Sequence, residues 1–241
     1  KGTPTQSPVA TSIAGVPPAY WWLRASDFDV DANKWTNRGT QGGEQSNVRV
    51  SGTVTKVSTS GHGASGEITA LQGSTSTALN LGKIPYDNFA LCSLTRYTGG
   101  SRGRILLGNG NWLHGHWNAL RGVCHHQGWK TNLNQNTPQD DWLIMCSSGS
   151  TLLANDVSVG NGKTARRPSG DGWFGVNYNG GSACCSGERS DFQLAELIIW
   201  DRTLTPTELG AARDHLKAVL RGEQESKNCV SMTSRSGSTQ V

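Results

Sequence analysis

The stretch from Ser190 to Leu209 constrains the fold more than any other part of this chain, because a strand ends in it and turns at once into a capped helix. From Asp191 to Glu196 polar and apolar residues alternate, as in a strand with one wet face. Leu197 to Trp200 then run apolar, as where a strand is covered on both sides. Thr205 can cap a helix, Pro206 suits its first turn, and Glu208 stands three residues after Thr205, which makes a capping box. The pattern predicts a helix to about Leu220, with Leu209, Ala212, Leu216 and Val219 in one apolar stripe and Gly222 as the stop.

The rest of the chain reads as strands joined by turns. Strand-like runs at Val48 to Val57, Ile68 to Leu71, Ala78 to Leu81, Phe89 to Thr95, Arg104 to Leu107, Trp142 to Cys146 and Phe174 to Val176 are evenly spread, with Gly, Ser and Asn between them. No linker interrupts them, so 241 residues with 31 glycines and 17% charge suit one all-β domain better than two. The expected division is an extended N-terminal segment over 1–18, one domain over 19–221 and a C-terminal tail over 222–241.

Several motifs carry a family resemblance. Near the start stand Trp21-Trp22-Leu23-Arg24-Ala25-Ser26-Asp27, then Trp35 and the Gly39 to Gly43 turn. In the middle stand Gly110-Asn111-Trp112-Leu113-His114-Gly115-His116-Trp117 and Gly172-Trp173-Phe174-Gly175-Val176-Asn177. With the strand-to-helix stretch, these resemble the laminin-G-like, concanavalin-A-like jelly rolls over roughly Ala19 to Leu220. The resemblance implies a two-sheet antiparallel jelly-roll sandwich with one short C-terminal helix, its first and last strands pairing near one edge. It does not imply an activity, since that fold hosts lectins, adhesion modules, glycosidases and lyases alike. It also implies a possible rim calcium, for which Asp29 and Asp31 are the candidate ligands. An EF-hand is excluded, because Ala32 stands where that loop needs Gly and Arg38 where it needs Glu.

The net charge of +4 is small and, apart from Arg166-Arg167, scattered, which argues against nucleic acid. No apolar run approaches the ~20 residues that span a bilayer. The start at Lys1, without Met or a hydrophobic leader, suggests a processed form. Six cysteines, Cys92, Cys124, Cys146, Cys184, Cys185 and Cys229, suggest disulfides and hence an extracellular or other oxidising compartment. Cys124 with Cys146 is a plausible pair, Cys229 is expected to tie the tail to the body, and the neighbours Cys184 and Cys185 are expected to reach different partners. The plain alternative is that Cys92 and Cys146 are buried thiols. No Asn-x-Ser/Thr acceptor occurs, so N-glycosylation adds nothing to the case for export.

On one strand His114 and His116 share a face, while the adjacent His125 and His126 of Cys124-His125-His126 oppose each other, so at most three of these imidazoles converge. Three could hold zinc or copper, but no orienting carboxylate lies nearby in sequence, and surface or groove histidines are the preferred reading. Catalysis has little support. No strand carries the alternating carboxylates a glycosidase needs, and there is no Gly-x-Ser-x-Gly elbow.

Nine tryptophans against four each of Phe and Tyr are more than a core of this size needs. Trp22, Trp142 and Trp200 lie in apolar runs and read as core; Trp112, Trp117, Trp129 and Trp173 lie beside Gly, Asn and His, the surroundings of a sugar platform. The expected function is therefore non-catalytic, lectin-like recognition of a glycan or glycoprotein. Its surface is expected on Trp112, His114, His116 and Trp117, joined by Asn177, Tyr178 and Asn179, with no required cofactor and calcium as an option. The rival expectation is a structural subunit of a larger assembly, with a polysaccharide-degrading enzyme behind both.

Overall fold

The computed structural model describes residues 12–41, 44, 45, 48–84, 86–132, 139–181, 184, 185 and 187–223. Within them the strands are β1 (Trp21–Arg24), β2 (Phe28–Asp29), β3 (Lys34–Thr36), β4 (Glu44–Gln45), β5 (Arg49–Ser51), β6 (Thr55–Gly61), β7 (Ala64–Gly73), β8 (Ala78–Lys83) and β9 (Ala90–Arg102). They continue with β10 (Leu106–Gly108), β11 (Trp112–Trp117), β12 (Leu120–His125), β13 (Leu143–Ser148), β14 (Thr151–Ala154), β15 (Val157–Ser158), β16 (Trp173–Val176) and β17 (Ser190–Trp200). One helix, α1 (Pro206–Leu220), follows.

Two large antiparallel sheets form. The first has eight strands in the order β15-β14-β13-β9-β17-β7-β6, with β1 also on β17; the second has the order β12-β11-β10-β16-β8-β5. A small sheet, β2-β3-β4, stands apart. β17 pairs with β9 along its length, and its other edge is shared: β7 takes Phe192 to Leu194, and β1 takes Glu196 to Ile199. The first and last strands of the fold are thus hydrogen-bonded neighbours, as expected from the resemblance.

Burial explains the composition of β17. Leu194, Leu197 and Ile199 enter the core between the sheets, with Leu71, Leu91, Leu106, Trp112 and Phe174 among others. Ala195, Ile198 and Trp200 enter a second core beneath α1, with Leu209, Ala212, Leu216 and Val219. A register shift between Leu194 and Glu196 adds one residue to the alternation, the usual effect of a β-bulge. Ile13 and Val16 join the second core, and Trp200 Nε1 donates to Pro17 O at 3.0 Å, so residues 12–18 pack on the body. Residues 1–11 and the tail from 224 onward, with Cys229, lie outside the described residues.

The helix forms as its sequence dictates. Thr205 Oγ1 accepts from the Glu208 amide at 3.3 Å, and a Glu208 carboxylate oxygen accepts from the Thr205 amide at 2.8 Å. Arg202 Nη2 donates to the other oxygen at 2.6 Å, and this bond, with that from the Thr205 amide, holds the Glu208 carboxyl down at about 2. A carboxylate whose folded pKa lies below its ordinary value adds stability above that ordinary value and loses it as pH falls toward the folded one. Wild type should therefore be more stable than Glu208→Gln above pH ~4.5, and the difference should vanish as pH falls through about 2, in thermal melts followed by circular dichroism.

The cysteines correct two expectations. Cys92 and Cys146 face each other in the β9–β13 register, 4.1 Å apart at Cα, and form a disulfide. Cys124 is free and buried and does not pair with Cys146, because Cys146 faces the core beneath α1 and is bonded to Cys92, while Cys124 lies in a separate cluster with Leu143 and Met145. Cys184 and Cys185 bridge each other rather than separate partners. With Cys92 and Cys146 joined and Cys124 buried, each has only the other among the described residues. The Cys92–Cys146 bridge spans 54 residues, for which chain-entropy reasoning gives about 4 kcal/mol. Replacing both by Ala should lower the unfolding free energy in denaturant titrations by that order; unchanged stability would contradict the bridge.

Candidate ligand-binding site

The hairpin β11–β12 holds most of the residues singled out from the sequence. Trp117 pairs with Leu120, leaving Asn118 and Ala119 as a two-residue loop with φ of 48° and 63°. Two left-handed residues give the turn whose twist suits a hairpin. Asn tolerates this backbone; Ala does so at a cost.

Alternation in β11 correctly puts His114 and His116 on one side, but that side is the interior. Trp112, His114 and His116 are completely buried. Trp112 Nε1 donates to Arg166 O at 2.8 Å, and its ring stacks on His126 at 4.5 Å between centroids. His114 Nε2 meets Met145 O at 3.2 Å, His116 Nδ1 meets Thr95 Oγ1 at 3.4 Å, and the His116 ring lies edge-on to Tyr97 at 4.6 Å. Burial lowers the His114 pKa to about 4 and those of His116 and His126 well below the usual imidazole value, so all three are neutral at pH 7. The expected ligand role of Trp112, His114 and His116 is thereby corrected. They are core, because a period of two fixes which residues share a face and not which face is wet.

Asn177 is a second correction. It is 1% exposed: Nδ2 donates to Ser74 O, Thr77 O and Ser190 O at 2.8–3.0 Å, and Oδ1 accepts from Ser190 N at 2.9 Å. With φ of 50°, it pins the end of β16 to the start of β17 and to the β7–β8 turn. Tyr178 and Asn179 are half-buried in the loop that follows, where Asn179 Nδ2 donates to Cys184 O at 2.9 Å.

The candidate calcium ligands are placed apart from this surface. Asp29 Oδ1 accepts from the amides of Asp31 and Ala32 at 3.0 and 2.9 Å, closing the turn before β3, and Asp31 is exposed. Among the described residues neither belongs to a group of three or more side chains that could share an ion.

What remains open to solvent is a different set. Trp117 and Trp129 are half-buried, 5.1 Å apart between centroids and tilted by 55°. His125 meets Trp129 edge-on at 5.0 Å, and its Nδ1 bonds Asn111 O at 2.6 Å. Glu188 fixes the Trp117 ring by accepting from Nε1 at 3.2 Å, and is itself held by Arg104 Nε at 2.5 Å. Glu188 and the hairpin loop after Trp117 also line a cleft of about 580 Å³, together with Ser101, Arg102 and Arg189 among others. Two indoles tilted against each other near guanidinium, amide and carboxylate groups each offer an accessible edge or face that a ring can pack on while polar groups hydrogen-bond its substituents. Trp117 belonged to the predicted surface, and Trp129 carried the same Gly and His context. Asn118, Arg102, Glu188 and Arg189 had no sequence signal, because the end of β9, the hairpin loop and the segment before β17 bring them together.

The fold defines the class of protein: an antiparallel β-sandwich with one closing helix. No family model matches the chain, and no curated protein matches it by sequence. Among solved structures it is similar to domain 4 of AbnA, an extracellular GH43 arabinanase from Geobacillus stearothermophilus, solved in complex with arabinotriose. The TM-score is 0.53 at 14% identity, covering 80% of this chain and 96% of that one. It is also similar to the binding domain of Paraclostridial Mosquitocidal Protein 1, with a TM-score of 0.50 at 10% identity; 83% of this chain matches 52% of that one. These likenesses support the sandwich fold.

The hairpin loop gives a direct check. Relief of the left-handed strain should make Ala119→Gly more stable than wild type, by up to about 1 kcal/mol in denaturant titrations, whereas Asn118→Val should be less stable.

Proposed function

We propose that the chain is a non-catalytic, exported recognition domain that binds a glycan, free or on a glycoprotein, through Trp117 and Trp129 and the cleft beside them. The observation that carries this reading is the indole pair itself: both rings are half-buried, and Trp117 is held by Glu188, which lines the polar cleft. The similar arabinanase domain, solved with arabinotriose, adds support at the level of fold. The laminin-G-like kinship is part of the proposal and rests on the sequence motifs.

Two further observations favour this over the alternatives. The lining of the cleft carries one carboxylate, Glu188, whose Oε2 accepts from both Arg104 and Trp117, whereas glycoside hydrolysis takes a pair. The exposed large apolar side chains among the described residues are Val30, Tyr86 and Val157, single residues far apart in sequence rather than a docking stripe. The Cys92–Cys146 disulfide favours export, and no helix among the described residues is long and apolar enough to cross a membrane.

A glycan array with purified protein, with and without calcium, tests the reading. A single site of this kind should bind in the micromolar to millimolar range, or about 4–8 kcal/mol, with multivalent display raising the effective strength. Trp117→Ala and Trp129→Ala should each weaken binding at least ~10-fold, worth about 1.4 kcal/mol, with unchanged near-ultraviolet circular dichroism. Trp112→Ala should instead destabilise the fold by ~3–5 kcal/mol. Full affinity in both surface variants would move the site elsewhere, and hydrolysis of a bound glycan would overturn the non-catalytic reading.

A further inference from the structure

The interior face of the β11–β12 hairpin holds a second arrangement, separate from the glycan surface. His114 and Cys124 are register partners on β11 and β12, and His126 follows two residues later. All three are buried, and one ligand atom from each lies within 4.8 Å of the other two. His114 Nδ1 and His126 Nε2 are buried without a hydrogen-bond partner, and Cys124 is the free thiol among the described cysteines. Unsatisfied buried polar atoms are rare in native proteins and call for an explanation.

We propose that His114, Cys124 and His126 form a buried three-ligand site for one soft monovalent metal ion, copper(I). Thiolate and imidazole are ligands such an ion prefers. Charge selects it over a divalent ion. Copper(I) with one thiolate is neutral, whereas zinc(II) would leave a net positive charge in an apolar cluster of Leu143, Met145, Leu152 and Val159, within electrostatic reach of the Lys130 ammonium. Coordination number points the same way, because zinc seeks four ligands and three side chains converge here.

The surroundings prepare His114 and orient His126. His114 donates Nε2–H to Met145 O, which fixes the tautomer that leaves the Nδ1 lone pair free, the usual second contact of a metal-bound histidine. Stacking on Trp112 fixes the plane of His126. His126 Nδ1 accepts the Arg166 amide at 3.2 Å, so the metal-free ring carries its proton on Nε2. Ligation through Nε2 moves that proton to Nδ1 and breaks the Arg166 bond. The thiol, kept protonated by burial, gives up its proton as sulfur binds: one copper(I) enters and one proton leaves.

The test is transfer of copper(I) from its bathocuproine disulfonate complex, in anaerobic ascorbate, to native protein and to protein refolded with the complex. The expected result is one ion per chain, with X-ray absorption showing one sulfur and two nitrogen neighbours and the Arg166 amide resonance displaced. Cys124→Ser, shown to be folded by its melting curve, should lose at least 100-fold in affinity. The absorption spectrum of wild type decides the matter even if that variant does not fold. No transfer to wild type, a shell lacking sulfur, full affinity in Cys124→Ser, or tighter binding of zinc(II) in a parallel titration would each overturn the assignment. Glycan binding plays no part in any of these readouts.

Discussion

Glu196 is a carboxylate inside a strand covered on both faces, and its partners join three elements of the fold on the side of the sheet beneath α1. Its side chain is 1% exposed. It accepts from Trp22 Nε1 and lies 2.6 Å from His215 Nε2 and 3.6 Å from Arg24 Nε. Those partners come from β1 and α1, so one buried charge ties the first strand, the central strand and the closing helix together. Removing a single partner of such a group typically costs ~3–5 kcal/mol, since the remaining charge stays buried. The same bulge that sets Ala195 and Glu196 beneath the helix returns Leu197 to the core between the sheets.

With that frame fixed, the hairpin β11–β12 is divided by depth. Its inner residues are spent on the core, where three neutral imidazoles and a thiol sit against Trp112 and Met145. Its tip and the turn after it present Trp117, Trp129 and His125 to solvent, beside a loop anchored by Asn177 and an ion pair between Arg104 and Glu188. Rigid support below and polar, accessible rings above are what weak, specific stacking needs, because little side-chain freedom is left to lose on binding.

Local signals were legible in the sequence and non-local ones were not. The capping box at Thr205 and Glu208, the stripe from Leu209 to Val219 and the doubly covered Leu197 to Trp200 all appear where the residues placed them, since each depends on neighbours a few positions away. The Cys92–Cys146 bridge was illegible because it requires knowing that β9 and β13 are adjacent and in what register. His114 and His116 shared a face as expected, yet the wet side was misassigned, because Gly and Asn nearby suggest exposure whether or not another sheet lies above. Asn177 has the composition of a binding loop and the hydrogen bonds of a structural pin, and only the fold distinguishes the two.

The most direct measurement is a nitrogen-15 NMR titration of the nine indole N–H resonances with a panel of neutral and acidic oligosaccharides. The account predicts that at least one ligand shifts Trp117 and Trp129 while the buried Trp22, Trp35, Trp112 and Trp200 stay in place. Silence of Trp117 and Trp129 while other indoles respond, or no response to any glycan class, would contradict it.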